Sequence, residues 1–390
     1  MLFPFMVIAT LAVCEAQAAE WPDISTPPAG NSAGKVDTAV IVGIEDYTYV
    51  AGIAGARQNA EDWYRYLTKS RGIPASRVTL LRNIEGTDAQ VRAALTRAVE
   101  QVGPSGMLWF IYIGHGAPSK DGQDGLLVGV DAQQSAIGIY SRSVPRSELL
   151  ATIEKGRQAH AVVVLDTCFS GRSSSGQALV SDLQPLVPSY AFHSSASRLA
   201  MLTATRAGQF AGPLPGVRRP AFSYLVLGAL RGWGDRDENG QVTAEEAGLY
   251  AREALEATVR DRQQGPEVSG QDVGVVIGWG RERGPDLAEL ALAMPPPSPA
   301  PTSKVAVANI GTDADLLADV DVIAAQLEAA ERIKQRLATT REKALDEATT
   351  ALQAQAAETW TLLGRLRELG GEPAREKAPL HPHLMSQSTA

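Results

Sequence analysis

Residues 162–176 read VVVLDTCFSGRSSSG, a run of valines that ends in Asp-Thr-Cys and then breaks into small polar residues. The apolar run Val162–Leu165 predicts a strand covered on both faces, and the polar cluster predicts a loop that leaves the sheet. Cys168 then lies at the carboxyl end of a strand, the edge of an open α/β sheet where ligands collect. Most free cysteines are small buried hydrophobes, but this position beyond the apolar run favours a chemical role.

A second apolar run ends in the same way, because Leu108–Ile113 is followed by Gly114, His115 and Gly116. Adjacent parallel strands would bring His115 and Cys168 together, and a thiol needs such a base to act as a nucleophile at neutral pH. The amides of Gly116 and Cys168 are candidates for an oxyanion hole. A lone histidine is more often structural, whereas this pair at matching strand ends predicts nucleophilic catalysis.

Composition narrows the possible functions. The chain has 390 residues, 44% of them apolar, which is enough for one sizeable core and a second element. The 36 basic and 44 acidic residues give a net charge of −8 without a Lys/Arg block, so a nucleic-acid partner is not expected. Gly30–Lys35 has the wrong spacing for a phosphate loop, and no H-E-x-x-H zinc motif is present.

Residues 35–285 alternate apolar runs with amphipathic segments, which predicts one α/β domain with crossover helices. The predicted strands are Thr38–Ile44, Val78–Arg82, Met107–Ile113, Ala161–Leu165, Ala200–Ala204 and Val273–Ile277. The predicted helices are Ala56–Leu67, Asp88–Val102, Arg146–Glu154, Ala221–Arg231 and Ala244–Val259. Thr87 and Gln90 form the pattern of a capping box before the second helix.

The two ends of the chain have compositions of their own. Residues 1–19 combine the apolar run Leu2–Val13 with Ala16-Gln17-Ala18, which predicts a signal peptide and export to the periplasm or the medium, with anchoring left open. Cleavage there would remove Cys14 and leave Cys168 without an internal disulfide partner.

The C-terminal part divides into three predicted segments. Residues 293–310 are a proline-rich linker, residues 311–369 have apolar side chains at three- and four-residue steps, and residues 370–390 form a disordered tail. The middle segment predicts an α-helical region, with a coiled coil as one option. It is too polar to span a membrane, so we expect pairing with itself or with a helical partner, and no transmembrane span in the mature chain.

The histidine and cysteine blocks together resemble the caspase-like cysteine peptidases, and the metacaspase and bacterial branch more closely than the animal enzymes. The blocks that carry this resemblance, over residues 35–280, are AVIVGIEDY (39–47), FIYIGHG (110–116), VVVLDTCFSG (162–171), MLTATRAGQFA (201–211) and AFSYLVLGAL (221–230). The sequence departs from the metacaspase pattern at Phe169, where a histidine is usual, and at Thr167, where a small alanine is common.

The resemblance implies a fold and an activity. The fold would be a caspase-like, mostly parallel sheet flanked by helices. The activity would be cysteine endopeptidase cleavage of a protein or peptide through an acyl-enzyme, with His115 as general base and then acid and Cys168 as nucleophile.

Family resemblance also bears on specificity. Animal caspases hold an acidic P1 side chain with arginines and with a glutamine two places before the cysteine, whereas this chain has Asp166 at that place. A carboxylate attracts Arg or Lys at P1, as in the metacaspase pattern. Asp46 or Glu45, at the end of the first strand, is the expected second acidic wall, and the choice between them stays open. Alternatively, Asp166 caps the backbone amides of the loop that follows it.

A candidate calcium loop lies in GDRDENGQVTAEEA, residues 234–247. It matches D-x-[DN]-x-[DN]-G-x5-E in full between two predicted helices. The expected Ca²⁺ ligands, for a structural or regulatory ion, are Asp235, Asp237, Asn239, Gln241, Thr243 and Glu246. The alternative is an acidic turn in which Thr243 and Glu246 form a capping box.

Two rival functions remain open at this point. One is a catalytically silent, calcium-stabilised scaffold that keeps the fold for binding while the helical region recruits a partner. The other is a peptidase that works only after cleavage in the loop Gly212–Phe222, where the bond after Arg218 is open to attack and Pro220 hinders cleavage after Arg219.

Overall fold

The computed structural model describes residues 20–30, 33–171, 179, 198–206 and 209–293. The predicted signal peptide, linker, helical region and tail lie outside these residues, apart from Ala293. No helix within the described ranges has both the length and the apolar composition that crossing a bilayer requires.

The described chain alternates strands and helices. Its strands are β1 (Thr38–Gly43), β2 (Val78–Arg82), β3 (Met107–Ile113), β4 (Gly116–Pro118), β5 (Gly125–Val128), β6 (Ser143–Pro145), β7 (His160–Asp166), β8 (Leu199–Thr203), β9 (Val242–Thr243), β10 (Glu267–Ser269) and β11 (Val276–Gly278). Its α-helices are α1 (Ala56–Arg65), α2 (Asp88–Gln101), α3 (Ala136–Ser141), α4 (Arg146–Glu154), α5 (Ala221–Gly228), α6 (Ala244–Thr258) and α7 (Leu287–Ala293). One π-helical turn follows α1 at Tyr66–Ser70 and another follows α5 at Ala229–Trp233.

Six strands form the main sheet, in the order β10-β8-β7-β3-β1-β2. All neighbours are parallel except β10, which runs antiparallel to β8. Ile113, the last residue of β3, pairs with Asp166, the last residue of β7. The segments that follow these two strands therefore leave the sheet at the same edge, which is where His115 and Cys168 lie. The predicted α/β fold with a mostly parallel sheet flanked by helices is confirmed for the described residues.

Both faces of the sheet are buried, which explains the continuous apolar runs of its central strands. Along β3, Trp109 and Ile111 point into the core shared with α1, α5 and α6, while Leu108 and Phe110 point into the core shared with α2 and α4. The strand is thus held from both sides, and its carboxyl end is a rigid support for the residues that follow.

Several predicted boundaries differ from the observed ones. Helices predicted to run straight to Leu67 and to Arg231 each change into a π-helical turn instead. The strand predicted at Val273–Ile277 begins only at Val276 and pairs with β9, so it is not part of the main sheet. The sequence also did not predict the small antiparallel sheet β4-β5-β6.

Candidate active site

A cavity opens at the carboxyl ends of β3 and β7, where both candidate catalytic side chains lie. The strand-end residues that line it are Gly114, His115, Asp166, Thr167 and Cys168. A second wall comes from the loop before α5 and from the segment before α1, and consists of Ile53, Ala54, Ala211, Gly212, Pro213, Val217, Arg218 and Pro220. The topology therefore brings the predicted base and the predicted nucleophile to one cavity.

His115 is buried, with 3% of its surface exposed, and its ring is held by a main-chain carbonyl. Its Nε2 atom lies 2.6 Å from the carbonyl oxygen of Ala51. A carbonyl can only accept a hydrogen bond, so in the neutral ring the proton sits on Nε2 and Nδ1 keeps its lone pair. Burial lowers the pKa of His115 from 6.5 to about 4, against the opposing effect of the Ala51 carbonyl. The imidazole is therefore a neutral base at physiological pH.

The thiol of Cys168 is largely buried and lies 2.8 Å from the hydroxyl oxygen of Ser170. The next side chain, Phe169, packs against Gly125 of β5, and the guanidinium of Arg146 lies 5.2 Å from the centre of its ring. The aromatic side chain that distinguishes this chain from the metacaspase pattern thus anchors the loop that carries the thiol.

Gly116 begins β4 and lies against the Cys168 segment. An added Cβ would lie 2.7 Å from the carbonyl oxygen of Cys168, so a larger residue would push the two segments apart. The β4–β5 pair exchanges hydrogen bonds on either side of Gly116, from Val128 N–H to His115 O at 3.0 Å and from Ser119 N–H to Asp124 O at 2.8 Å. Because bonded and non-bonded pairs alternate in an antiparallel ladder, the Gly116 N–H points away from β5.

Asp166 has two relationships in this site. It lines the cavity, and its carboxylate accepts a 2.7 Å hydrogen bond from the N–H of Ser223 in the first turn of α5. Burial raises the pKa of Asp166 to about 6, and the Ser223 hydrogen bond and the charge of Arg262 oppose that rise. The predicted alternative, a cap on backbone amides, is thus observed at a helix N-terminus distant in sequence, rather than in the loop after Cys168.

The two candidates for the second acidic wall are engaged elsewhere. The Asp46 carboxylate accepts a 2.7 Å hydrogen bond from Asn83, and a Glu45 carboxylate oxygen accepts one from the N–H of Arg57 at 3.3 Å. Among the described residues, neither side chain belongs to the lining of the cavity. Their part in substrate binding stays a prediction that the geometry does not support.

The loop before α5 is held in place by buried charges. Arg219 donates to the side-chain oxygen of Asn59 at 2.7 Å and forms an ion pair with Asp62. Arg262, whose side chain is 3% exposed, donates to the Pro213 carbonyl at 2.7 Å and packs against Gly212. These contacts fix the wall of the cavity that faces the strand ends.

The candidate calcium loop contains the capping box that was the predicted alternative, and calcium binding stays a prediction. Thr243 and Glu246 form a capping box at the start of α6. Carboxylate oxygens of Asp235, Asp237 and Glu246 also lie within 4.8 Å of one another. Gly240 has a φ of 81°, the left-handed conformation for which glycine is preferred at the sharp turn. These hard oxygen atoms are of the type that Ca²⁺ prefers.

Sequence reasoning found both strand-end residues but missed the groups that hold them. The Ala51 carbonyl has no sequence signal, since every residue carries one. The partners of Asp166, which are Ser223 and Arg262, are far from it in the chain and carry no motif. Tyr47, which contacts His115, lies in the first-strand block that carries the family resemblance.

Comparisons with known proteins agree with the sequence blocks. Residues 38–175, which include His115 and Cys168, match the family model described as metacaspase, peptidase C14 domain. A structural-genomics target protein from Geobacter sulfurreducens is similar in structure at 15% identity and a TM-score of 0.42, over 62% of this chain and 94% of that one. Caspase-1 from Spodoptera frugiperda is similar at 14% identity and a TM-score of 0.41, over 68% and 98% of the two chains.

The search of curated proteins found no match. The predicted resemblance to caspase-like peptidases is confirmed by the family match, which covers the strands β1, β3 and β7 and the residues at their carboxyl ends. Residues 38–175 of this chain are therefore similar to the metacaspase, peptidase C14 domain.

Proposed function

We propose that the protein is a cysteine endopeptidase with Cys168 as nucleophile and His115 as general base and then general acid. The observation that carries this proposal is that the two side chains line one cavity while the Ala51 carbonyl holds the His115 ring. That contact leaves Nδ1 as the atom that accepts a proton. A neutral buried imidazole is suited to take the proton of a neighbouring thiol.

The reaction follows from these roles. The Cys168 proton moves to Nδ1 of His115 while sulfur attacks the carbonyl carbon of the peptide bond. The oxyanion is stabilised by the N–H groups of Gly116 and Cys168, and the first of these points away from the β4–β5 ladder. His115 then gives its proton to the leaving amine, which departs. Water, deprotonated by His115, hydrolyses the thioester and releases the acid.

Cleavage after Arg or Lys is the specificity that the cavity supports best. Asp166 places a carboxylate in the lining, and no lysine and only one arginine, Arg218, appears among the described lining residues. Burial makes this carboxylate costly to ionise without a partner, so a substrate guanidinium or ammonium that pairs with it gains binding energy. The positive charge of the buried Arg262, which packs against the loop before α5, offsets part of the negative charge of Asp166.

We also propose that the loop Asp235–Glu246 binds Ca²⁺ and stabilises the domain. Asp235, Asp237 and Glu246 would supply carboxylate oxygens, as their convergence within 4.8 Å allows. The loop connects α6 to the π-helical turn that follows α5. A bound ion would therefore stabilise the C-terminal end of α5, the helix whose first turn donates a hydrogen bond from Ser223 to Asp166.

The test is hydrolysis of fluorogenic peptides that end in Arg, Lys or Asp by the chain beginning at Glu20, next to Cys168→Ala. We expect turnover of the Arg and Lys peptides that falls at least about 10³-fold in the variant, because removal of a nucleophile leaves only binding and oxyanion effects. Equal turnover by both proteins would exclude Cys168 as the nucleophile. No turnover by a folded, calcium-loaded wild type would favour the scaffold.

Self-cleavage is a distinct outcome of the same experiment, since Arg218 is exposed and lines the cavity. Two fragments in the wild type, absent in Cys168→Ala and in Arg218→Gln, would show self-cleavage after Arg218, and loss of peptide hydrolysis in Arg218→Gln would support a requirement for it. Full activity of an intact chain would exclude this requirement.

A further inference from the structure

We infer that Tyr47, braced by Tyr112, is a positioning residue that holds His115 in its reactive orientation. This inference rests on the proposed function and assigns Tyr47 no contact with the substrate. The hydroxyl of Tyr47 accepts a hydrogen bond from the N–H of His115, and the hydroxyl of Tyr112 contacts the His115 carbonyl. The ring of Tyr47 also packs against the imidazole.

The main chain of His115 is bound on both sides. Its N–H donates to the Tyr47 hydroxyl at 2.7 Å, and its carbonyl accepts from the Tyr112 hydroxyl at 2.8 Å and from the N–H of Val128 at 3.0 Å. The two phenol oxygens lie 3.3 Å apart, and Tyr112 is also within 2.8 Å of the Val128 carbonyl. Burial raises the pKa of both phenols above 10, so both stay protonated and can donate.

The loop that carries Tyr47 also carries the acceptor of the imidazole. The Tyr47 and His115 ring centres are 4.8 Å apart at an interplanar angle of 46°, and Ala51, four residues later, binds Nε2. One short segment thus contacts the main chain, the ring face and the ring edge of the base. A shift of this segment would change all three contacts together.

Two further features fix this segment. Asn83 accepts hydrogen bonds from the N–H groups of Glu45 and Asp46 at 2.8 and 3.1 Å and donates to the Asp46 carboxylate. Gly114 leaves the space that the phenols fill, because a Cβ there would lie 2.7 Å from each of their oxygens. The glycine before the base is therefore needed for the two phenols to approach. The Asp46 carboxylate, through its hydrogen bond from Asn83, helps to hold this segment.

The test compares Tyr47→Phe and Tyr112→Phe with Tyr250→Phe, all in the full chain. Tyr250 is a matched control because its buried hydroxyl has no hydrogen-bond partner among the described residues. Two readouts are taken: kcat and KM for an Arg peptide, and the pKa of the His115 imidazole by NMR, assigned with His115→Gln. Cys168, Asp166 and Arg218, the other titratable side chains of the cavity, are unchanged in all three variants.

For Tyr47→Phe we expect a fall in kcat of roughly 10- to 100-fold, the cost of misplacing a catalytic group by about 1 Å, with KM changed less than about twofold. The imidazole pKa should rise by about one unit as the freed ring gains access to water. Tyr112→Phe should move both quantities in the same direction, and Tyr250→Phe neither. Should Tyr47→Phe not fold, Tyr112→Phe decides alone.

An unchanged pKa and kcat in a folded Tyr47→Phe protein would overturn the inference, as would equal effects in Tyr250→Phe. If the wild type hydrolyses no peptide, the proposed function fails, and the NMR readout still decides. A pKa shift confined to the two cavity tyrosines would then support the positioning role of Tyr47, and its absence would exclude it.

Discussion

The imidazole Nε2 of His115 and the carbonyl oxygen of Ala51 lie 2.6 Å apart, so the backbone of the loop after β1 selects the tautomer of the base. The carbonyl cannot change its protonation state, unlike a carboxylate in this position. The contact leaves Nδ1 available, and in the proposed mechanism this nitrogen exchanges protons with the thiol and with the leaving amine. The orientation of the His115 ring thus depends on the path of this loop, and the proposed dyad needs no third side chain to set it.

The pH dependence of turnover should reveal the burial of His115. Its pKa of about 4 means that the ring is the neutral base above that pH and is lost as a base only below it. For a peptide that ends in neutral citrulline, we expect the acid limb of kcat/KM near pH 4, measured in buffers in which circular dichroism shows a folded protein. An acid limb near pH 6.5 would mean that the ring is solvated in the working enzyme.

Asp166 should make the preference for a basic substrate depend on pH. With a pKa of about 6, its carboxylate is charged above that pH and neutral below it. We expect the ratio of kcat/KM for Arg over citrulline peptides to rise about tenfold, or about 1.4 kcal/mol, between pH 5 and 7.5. Asp166→Asn should abolish the rise, because an amide does not ionise. The amide oxygen can still accept from the N–H of Ser223, so the contact with α5 is kept.

Stability supplies a second readout for the same residue. Because folding raises the pKa of Asp166 from 3.8, the folded state holds a proton that the unfolded chain releases, and stability from this group is lost as the pH rises from about 4 to 6. Asp166→Asn should remove this loss in urea titrations. A ratio of Arg to citrulline turnover that still rises with pH in Asp166→Asn would assign the specificity to another group.

The central fold was predictable because its signals are strong and local. The bounds of β3 and α4 are as predicted, since β3 is a run of seven apolar residues and α4 starts right after Pro145. The sheet β4-β5-β6 was missed because two of its strands have only three residues and contain Gly or Pro, which are rare in strands. Thr87 accepts from Gln90 N–H, which is one of the two hydrogen bonds of the predicted capping box.

The candidate site was predictable only as far as topology reaches. Two buried runs that end in His and Cys meet if their strands are neighbours, and the observed pairing of β3 with β7 satisfies this condition. What holds these side chains could not be predicted, because a backbone carbonyl at Ala51 and an N–H at Ser223 are present whatever the residue. Asp46 is an example: it follows the end of β1 closely in sequence, but its side chain bonds Asn83 and is not part of the cavity lining.

Calcium should raise the thermal stability of the domain. An ion that binds only the folded loop stabilises it by about 2.7 kcal/mol at a concentration 100 times its dissociation constant. We expect a higher unfolding temperature in Ca²⁺ than in chelator, and the difference should vanish in Asp235→Asn and Glu246→Gln. Glu256→Gln removes an exposed carboxylate from the same helix and should keep it. An unfolding temperature that is the same with Ca²⁺ and with chelator would leave the loop as an acidic turn with a capping box.

Arg219 and Arg218 are adjacent in sequence, but Arg219 is engaged by buried partners while Arg218 is exposed. Substitution of each in turn tests whether the buried contacts hold the cavity wall in place. Arg219 bonds Asn59 and pairs with Asp62, whose side chain is fully buried, while Arg218 is exposed at the cavity. Arg219→Gln should lower the free energy of unfolding by about 1.5–3 kcal/mol, the range for hydrogen bonds to charged groups, because among the described residues Asp62 would keep Arg65 alone as an ionic partner.

The loosened wall should also raise KM for the Arg peptide more than it lowers kcat, since the wall lies opposite the strand ends and carries no group of the dyad. Arg218→Gln should leave urea unfolding within about 0.5 kcal/mol of the wild type, as for other exposed positions. Equal destabilisation by the two substitutions would show that the wall is held by the packing of its prolines and Val217 and not by the buried ion pair.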